Sequence, residues 1–308
     1  GRGGGPQRLH PRPLLHAAHG GRRARRLRRR PPTDAGGWTT VAPSAVAFEG
    51  FAEPVALDTA GIDRIVEAFG AAAVRAVAAG FDVLEVHAAH GYLLHQFLSP
   101  LSNLRDDEYG GSLHNRARLL LRIVETVRAA APQAALVVRF SASDWADGGW
   151  DAAQTAAVAQ WAAERGAVLF DISSGGLVAH QRITTGPGYQ VPLSAEVRRS
   201  SGLPVSAVGE ITSGAQAEAV LQSGDADVIL AGREWLRDPH FALRAATEAA
   251  FARARRSRDS RAQQMVERLS EDYPVTWEDV LTQSTDSHTI GRPHIADALV
   301  AAGSFPER

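Results

Sequence analysis

Two histidines and a tyrosine follow one apolar stretch of the chain at a spacing that suits catalysis. The run His87-Ala-Ala-His90-Gly-Tyr92 comes directly after Phe81–Val86, a segment predicted to be a buried strand. Two imidazole N–H groups aimed at one oxygen would stabilise an oxyanion or polarise a carbonyl group. The phenolic hydroxyl of Tyr92 could supply a proton to the same pocket.

The spacing alone leaves three interpretations of this histidine pair open. The imidazoles could act as paired donors, they could bind a metal together with Glu85, or they could be structural and partly buried. A metal site would need further ligands, and the sequence fixes none of them nearby. With no cysteine in the chain, thiolate metal sites, disulfides and cysteine nucleophiles are excluded.

Two glycines and an arginine indicate a phosphate site. Gly232-Arg233 follows the predicted strand Ala226–Ala231 and opens a helix, where free backbone N–H groups attract phosphate. Gly209 follows the preceding predicted strand, Leu203–Val208. In barrels, the loops after the last two strands often form a phosphate site, so these positions predict a phosphorylated cofactor or substrate.

Arg139 stands at the end of an apolar segment, Ala135–Phe140. An unpaired arginine is costly to bury, so its guanidinium should meet an anion or an electron-rich ring system. An internal ion pair is the alternative interpretation.

These groups would be positioned by alternating helices and short apolar strands between about Leu57 and Ala250. Helical spacing of apolar residues follows a cap at Asp58 or Thr59 and ends at Gly80. Five buried strands joined by helical crossovers predict an α/β fold with a parallel sheet, either a barrel or an open doubly wound sheet.

The two ends of the chain differ from this middle part. Residues 1–33 hold ten of the 33 basic residues and no acidic residue, although the whole chain carries a net charge of only −1. A basic arm for nucleic acid or a membrane surface is one interpretation of residues 1–36, and a transit peptide is a second; composition favours a disordered or out-of-frame tail. No apolar run is long enough to span a membrane or to form a secretory signal, so a cytoplasmic location is expected.

The amino-acid sequence of the middle part of the chain resembles that of the Old Yellow Enzyme family of bacterial NADH:flavin oxidoreductases. The resemblance runs from about Gly37 to Ala246 and is carried by an ordered series of motifs: VHAAHGYLLHQFLSPLSNLRDDEYGGSLHNR (86–116), VVRFSASD (137–144), DISSGGLV (171–178), PGYQVPLSAEVR (187–198) and AGREWLRDPHF (231–241).

The resemblance implies a (β/α)₈ TIM barrel that holds FMN at its C-terminal mouth and is reduced by NADPH or NADH. His87 and His90 would bind the oxygen of an activated alkene such as an enone or nitroalkene, and Tyr92 would be a candidate proton donor. Arg139 would lie against the flavin ring. Gly232 and Arg233 would hold the FMN phosphate, with Gly209 as a less certain contact. The partner is expected to be a small-molecule substrate, with no nucleic acid or membrane, and a homo-oligomer is left open.

The sequence departs from the family at both ends. Three strands expected before His87 are replaced by the Arg-rich segment, so the barrel is expected to be incomplete. We therefore expect three regions: a tail at residues 1–36, a partial FMN-binding barrel at 37–252, and a helical tail at 253–308. Within the last region, Arg261–Gly303 resembles a fragment of PHP-type metal phosphoesterases, in which the histidine matching His294 would be a metal ligand. A truncated remnant without flavin and a metal-dependent barrel hydrolase or lyase are the alternatives to an ene-reductase.

Overall fold

Five parallel strands form the central sheet of the protein. The structure is a computed structural model that describes residues 37–283, 290 and 292–304. A short parallel pair comes first, and the central strands follow it along the chain: β1 (Val41–Ala42), β2 (Val55–Ala56), β3 (Val83–Ala88), β4 (Ala135–Ser141), β5 (Leu169–Ser173), β6 (Val205–Ala207) and β7 (Val228–Ile229).

The central strands lie side by side in chain order, from β3 to β7. A doubly wound sheet reverses its strand order at a switch point, whereas a (β/α)₈ barrel does not. The observed order is therefore that of the barrel, which resolves the alternative that the sequence left open. Within the described residues the sheet does not close, because β3 and β7 each pair on one side only.

Helices connect the strands and continue beyond them: α1 (Thr59–Ala78), α2 (Leu93–Leu98), α3 (Leu113–Ala130), α4 (Ala152–Ala163), α5 (Val191–Ser201), α6 (Gly214–Gln222), α7 (Gly232–Arg237), α8 (Phe241–Leu269), α9 (Trp277–Thr282) and α10 (Arg292–Ala301). Side-chain caps fix several of their starts. Asp58 accepts a hydrogen bond from the Gly61 amide at 2.7 Å, and Ser112, Asp151 and Ser213 cap α3, α4 and α6 in the same way. Gly80 has a φ of +91° just after α1, as its predicted role requires.

The sheet has one apolar face and one polar face. Val86, Val138, Phe170 and Ile172 are buried in the main core with apolar residues of the surrounding helices. The alternate residues of the same strands point away from these helices, into what would be the interior of a barrel. The polar residues of that inner face are the ones available for chemistry.

Several element boundaries differ from the predicted ones. β3 begins at Val83 rather than Phe81, whose side chain is exposed. Helix α7 begins at Gly232, where a helix start was predicted. The bounds of the six-residue helix α2 were not predicted, because fewer than two turns give no clear periodic pattern. Helix α8 runs across residues 252 and 253, where the second expected region ends and the third begins. The division into three regions stays a prediction.

The C-terminal helices form a small hydrophobic cluster of their own. Val266 of α8, Val280 of α9 and Ile295 of α10 are among its buried members. His294 lies in α10, and its predicted metal-binding role remains a prediction. The predicted Arg-rich tail, residues 1–36, lies outside the described residues. Among the described helices, none combines the length and apolarity required to cross a bilayer.

Candidate active site

A row of polar residues crosses the inner face of the sheet, one from each of four adjacent strands. His87 of β3 is in register with Arg139 of β4, which is in register with Asp171 of β5 and then Ser206 of β6. Arg139 Nε lies 2.9 Å from Asp171 Oδ2, and the Ser206 hydroxyl donates to Asp171 Oδ1 at 2.7 Å. The Arg139 side chain keeps 26% of its surface exposed. The ion pair considered from the sequence is thus present, and part of the Arg139 side chain remains accessible.

His87, His90 and Tyr92 lie together at the C-terminal end of β3. The centroids of the two imidazole rings are 5.1 Å apart, and the Tyr92 ring lies 5.4 Å from that of His87. Tyr92 is about half exposed, with 48% of its surface accessible. The three side chains therefore form one cluster that an incoming molecule can reach.

The backbone at His90 adopts a left-handed conformation with a φ of +58°, which is unusual for a residue with a side chain. Its amide donates to Ser141 Oγ at 2.9 Å, and that hydroxyl donates to the Gly175 carbonyl at 2.9 Å. The backbone of Gly176 lies so close that an added Cβ there would be 2.7 Å from His90 Cα. The loop after β5 therefore fixes the position of His90.

A chain of polar side chains leads from the His90 imidazole to a buried glutamine. His90 Nε2 lies 2.7 Å from Ser173 Oγ, and Ser173 Oγ lies 3.3 Å from Gln190 Oε1. The Ser174 hydroxyl donates to Gln190 Oε1 at 2.6 Å. The Gln190 amide nitrogen donates to the Val208 carbonyl at 3.3 Å. Gln190 was not among the predicted site residues, although its motif was noted.

Both histidines of the cluster favour the neutral form. Burial, followed by the positive charge of Arg139, lowers the pKa of His90 to about 3. The pKa of His87 is also lowered, by burial first and then by Arg139. Neutral imidazoles can each donate one N–H to an oxygen without carrying a charge into the site.

His90 should make folding stability depend on pH. The unfolded histidine takes up a proton near pH 6.5 and the folded one near pH 3, so protons favour the unfolded state between these values. The free energy of unfolding is therefore unaffected by His90 above about pH 6.5 and decreases as the pH falls towards 3. We expect urea unfolding to show about 1–2 kcal/mol more loss of stability from pH 7 to pH 5 in the wild type than in His90→Gln. Equal losses in the two proteins would contradict the burial of a neutral imidazole at this position.

A cleft of about 490 Å³ opens beside the ends of β6 and β7. Gly209, Gly232 and Arg233 all line it, as does Gln190. Gly209 has a φ of +123° and packs against the Gln190 side chain, where an added Cβ would lie 3.0 Å from Nε2. Nothing lies within 4 Å of the position that a Cβ on Gly232 would occupy. A ligand group can therefore approach the Gly232 backbone closely.

Arg233 is exposed at this cleft and forms no ion pair within the described part of the chain. Arg237, one turn along α7, is paired with Glu234 instead. Burial and the charge of Glu210 raise the pKa of Tyr189, and the positive charge of Arg233 partly opposes this rise. Arg233 is thus the cation at this cleft that is available to an anionic ligand.

The predicted site residues fall into two neighbouring groups. One group lies on the inner face and at the C-terminal end of the sheet and comprises His87, His90, Tyr92 and Arg139. The other group lines the cleft and comprises Gly209, Gly232 and Arg233. Gln190 belongs to both groups, because it lines the cleft and hydrogen-bonds to Ser173. Among the described residues, no group of three or more potential metal ligands comes together, so the interpretation with Glu85 gains no support.

The fold and the site together define the class of protein. The chain belongs to the NADH:flavin oxidoreductase / NADH oxidase family, whose model matches residues 15–250. The matched range begins at residue 15, within the segment for which composition favoured a tail outside the family.

Curated relatives in this family are named NADPH dehydrogenases. The chain is 50% identical over 208 residues to that of Bacillus subtilis, which covers 67% of this chain and 61% of the relative. The NADPH dehydrogenase of Listeria innocua is 48% identical over 207 residues, with the same two shares. The chain thus spans about 61% of the length of these relatives.

Solved structures agree on the fold. An Old Yellow Enzyme homologue from Zymomonas mobilis superposes with a TM-score of 0.60 at 29% identity, over 71% of this chain and 64% of that one. Morphinone reductase in complex with tetrahydroNAD gives a TM-score of 0.57 at 28% identity, over 70% and 61% of the two chains. The predicted α/β fold of the TIM-barrel type is therefore confirmed. The resemblance of residues 261–303 to metal phosphoesterases stays a prediction.

Proposed function

We propose that this protein is an FMN-dependent oxidoreductase that reduces activated alkenes, such as enones and nitroalkenes, with NADPH or NADH. The observation that carries the proposal is the meeting of two neutral imidazoles, a tyrosine and a partly exposed arginine at one mouth, beside a cleft suited to phosphate. The family and the names of its curated members support it.

The residues at the site fit FMN. Gly232 leaves open space before its backbone, and Arg233 supplies a cation to the same cleft. A phosphate at this cleft would receive backbone N–H groups and a guanidinium, which are the donors that phosphate prefers. Gly209 lines the same cleft. Arg139 uses Nε for Asp171, so its terminal nitrogens remain available to an electron-rich ring on the inner face.

Bound FMN would supply the two-electron reduction of the alkene, with the nicotinamide as its reductant. The substrate oxygen would accept hydrogen bonds from His87 and His90, which polarises the conjugated double bond. A neutral imidazole has a single N–H. For His90 to donate it to this oxygen, the proton would be on Nδ1 and the Ser173 hydroxyl would donate to Nε2. Tyr92 is placed beside His87 and is exposed enough to deliver a proton to the carbon chain of the substrate.

A ligand titration tests this assignment. The purified protein is saturated with FMN, and a phenol is added as a substrate mimic while the visible flavin spectrum is recorded. His87→Ala should weaken phenol binding about tenfold or more, since it removes one of two hydrogen bonds to the ligand oxygen.

His114→Ala is the matched control, because His114 packs edge-on against Trp161 on the outer helices. It should leave the phenol affinity unchanged. If wild-type protein takes up no FMN, the proposed function is wrong; if FMN binds but His87→Ala has wild-type affinity, the donor role is wrong. The expected cytoplasmic location stays a prediction, and whether the protein forms a homo-oligomer stays open.

A further inference from the structure

A buried histidine and aspartate lie behind the candidate site and have no part in the function proposed above. His95 and Asp144 have fully buried side chains, and His95 Nε2 lies 2.9 Å from Asp144 Oδ1. His95 belongs to α2, whereas Asp144 follows β4. A buried charged carboxylate is costly unless it is paired and hydrogen-bonded, so this arrangement is strongly specified.

The hydrogen bonds identify which nitrogen of His95 carries the proton. The Gly91 amide donates to His95 Nδ1 at 2.9 Å, so Nδ1 offers its lone pair and the proton is on Nε2, facing Asp144. The other oxygen of Asp144, Oδ2, accepts from the Ser99 hydroxyl at 2.6 Å and from the Trp150 amide at 2.7 Å. Burial raises the pKa of Asp144, but the hydrogen bonds from His95, Ser99 and Trp150 lower it below its ordinary value.

This pair acts on the strained loop that carries His90. The consecutive backbone amides of His90 and Gly91 both donate hydrogen bonds to side chains, the first to Ser141 Oγ and the second to His95 Nδ1. The loop after β5 packs tightly against Gly91, because a Cβ on Gly91 would lie 2.2 Å from the Gly176 carbonyl oxygen. A left-handed residue with a side chain persists only where its surroundings fix it, and these contacts do so.

We propose that His95 and Asp144 are positioning residues for His90: Asp144 fixes the His95 tautomer whose Nδ1 holds the Gly91 amide and thereby the left-handed turn at His90. The expected effect on substrate-oxygen binding rests on the proposed function. The hydrogen-bond assignment itself concerns this chain alone.

Asp144→Asn tests the tautomer directly. The asparagine oxygen would keep the hydrogen bonds from Ser99 and Trp150, so its NH₂ group would face His95 Nε2. His95 would then need its lone pair on Nε2 and its proton on Nδ1, where it meets the Gly91 N–H donor to donor. Nitrogen chemical shifts of the His95 ring should report the proton on Nε2 in the wild type and on Nδ1 in the variant. Exchange of the Gly91 amide should be about tenfold faster in the variant.

Ser99→Ala is the matched control, since it removes a different hydrogen bond from the same carboxylate. The tautomer of His95 and the exchange of the Gly91 amide should stay as in the wild type. In the FMN-loaded proteins, Asp144→Asn should weaken phenol binding about tenfold, while Ser99→Ala changes it by less than about twofold. A purely structural role would lower stability in both variants without separating their phenol affinities.

A second pair decides the matter if Asp144→Asn does not fold. Asparagine at position 95 can still offer an oxygen to the Gly91 amide, whereas leucine cannot. His95→Asn should keep phenol affinity within about threefold of the wild type, and His95→Leu should lose about tenfold or more. An unchanged His95 tautomer in Asp144→Asn, or equal phenol affinities in the two position-95 variants, would overturn the proposal. If no FMN binds to the wild type, the proposed function fails, and the ring shifts and amide exchange of the FMN-free protein then decide the positioning role.

Discussion

Replacing Gly176 with alanine is expected to lower the free energy of unfolding by about 2–4 kcal/mol and to abolish phenol binding by the FMN-loaded protein. The added Cβ would lie 2.7 Å from His90 Cα and 2.8 Å from its carbonyl carbon, both of them backbone atoms. Gly176 also has a φ of +95°, which alanine adopts only with strain. The loop after β3 would have to move, and His90 would move with it.

Gly80→Ala separates the two causes of this effect. Gly80 has nearly the same backbone conformation, with a φ of +91°, but nothing lies within 4 Å of the position of its Cβ. Its replacement should therefore show the strain alone, about 1–2 kcal/mol, with phenol binding intact. Urea unfolding and the flavin titration measure both quantities. Equal losses of stability at the two glycines would show that the contact with His90 contributes nothing.

Replacing Asp171 with alanine is expected to cost on the order of 3 kcal/mol of folding stability. Asp171 is 1% exposed, forms an ion pair with Arg139 and accepts a hydrogen bond from Ser206. Its burial raises the pKa of its carboxyl group, against the effect of Arg139 and Ser206. Removing the carboxylate would leave Arg139 on the inner face without its partner. The released guanidinium would no longer be held for a ring system, so FMN affinity should fall about tenfold or more.

Ser206→Ala is the control for this prediction, because it removes one neutral donor to the same carboxylate and leaves the ion pair. It should cost about 1 kcal/mol and leave FMN affinity unchanged. Denaturant unfolding gives the stabilities, and quenching of flavin fluorescence gives the affinities. Tight FMN binding by Asp171→Ala would contradict the proposed role of Arg139.

Much of the fold could be predicted because its signals are local. The apolar segment Ala135–Phe140 is observed as β4, Ala135–Ser141, and Asp58 caps α1, one of the two cap positions predicted. Prediction was weaker where the local signal was short or misleading. β3 starts two residues late because the apolar Phe81, though it follows Gly80 at once, is exposed in the loop before the strand. Arginine is a good helix former, so the charged run after Arg253 continues α8 instead of ending it.

The candidate site was only partly predictable for a related reason. Strand ends could be read from the sequence, so His87, His90, Arg139 and Gly232 were identified as groups at the carboxyl edge of the sheet. Gln190 could not be found this way, because it precedes a helix, and its place in the cleft and its contacts with Ser173 and Ser174 depend on how the loops pack. His95 also escaped notice, since its role depends on an amide in the preceding loop and a carboxylate 49 positions further along the chain.

The sequence by itself determined the order of strands and helices and the chemical groups that stand where strands end, because periodicity, caps and glycines act over a few residues. Only the tertiary structure decided which of these groups meet. Arg139 is joined to Asp171 by strand register, and His90 is held to Ser173 across 83 positions of the chain. Such pairings depend on how strands align and loops pack against each other, and that alignment is set by the whole sheet rather than by any short segment.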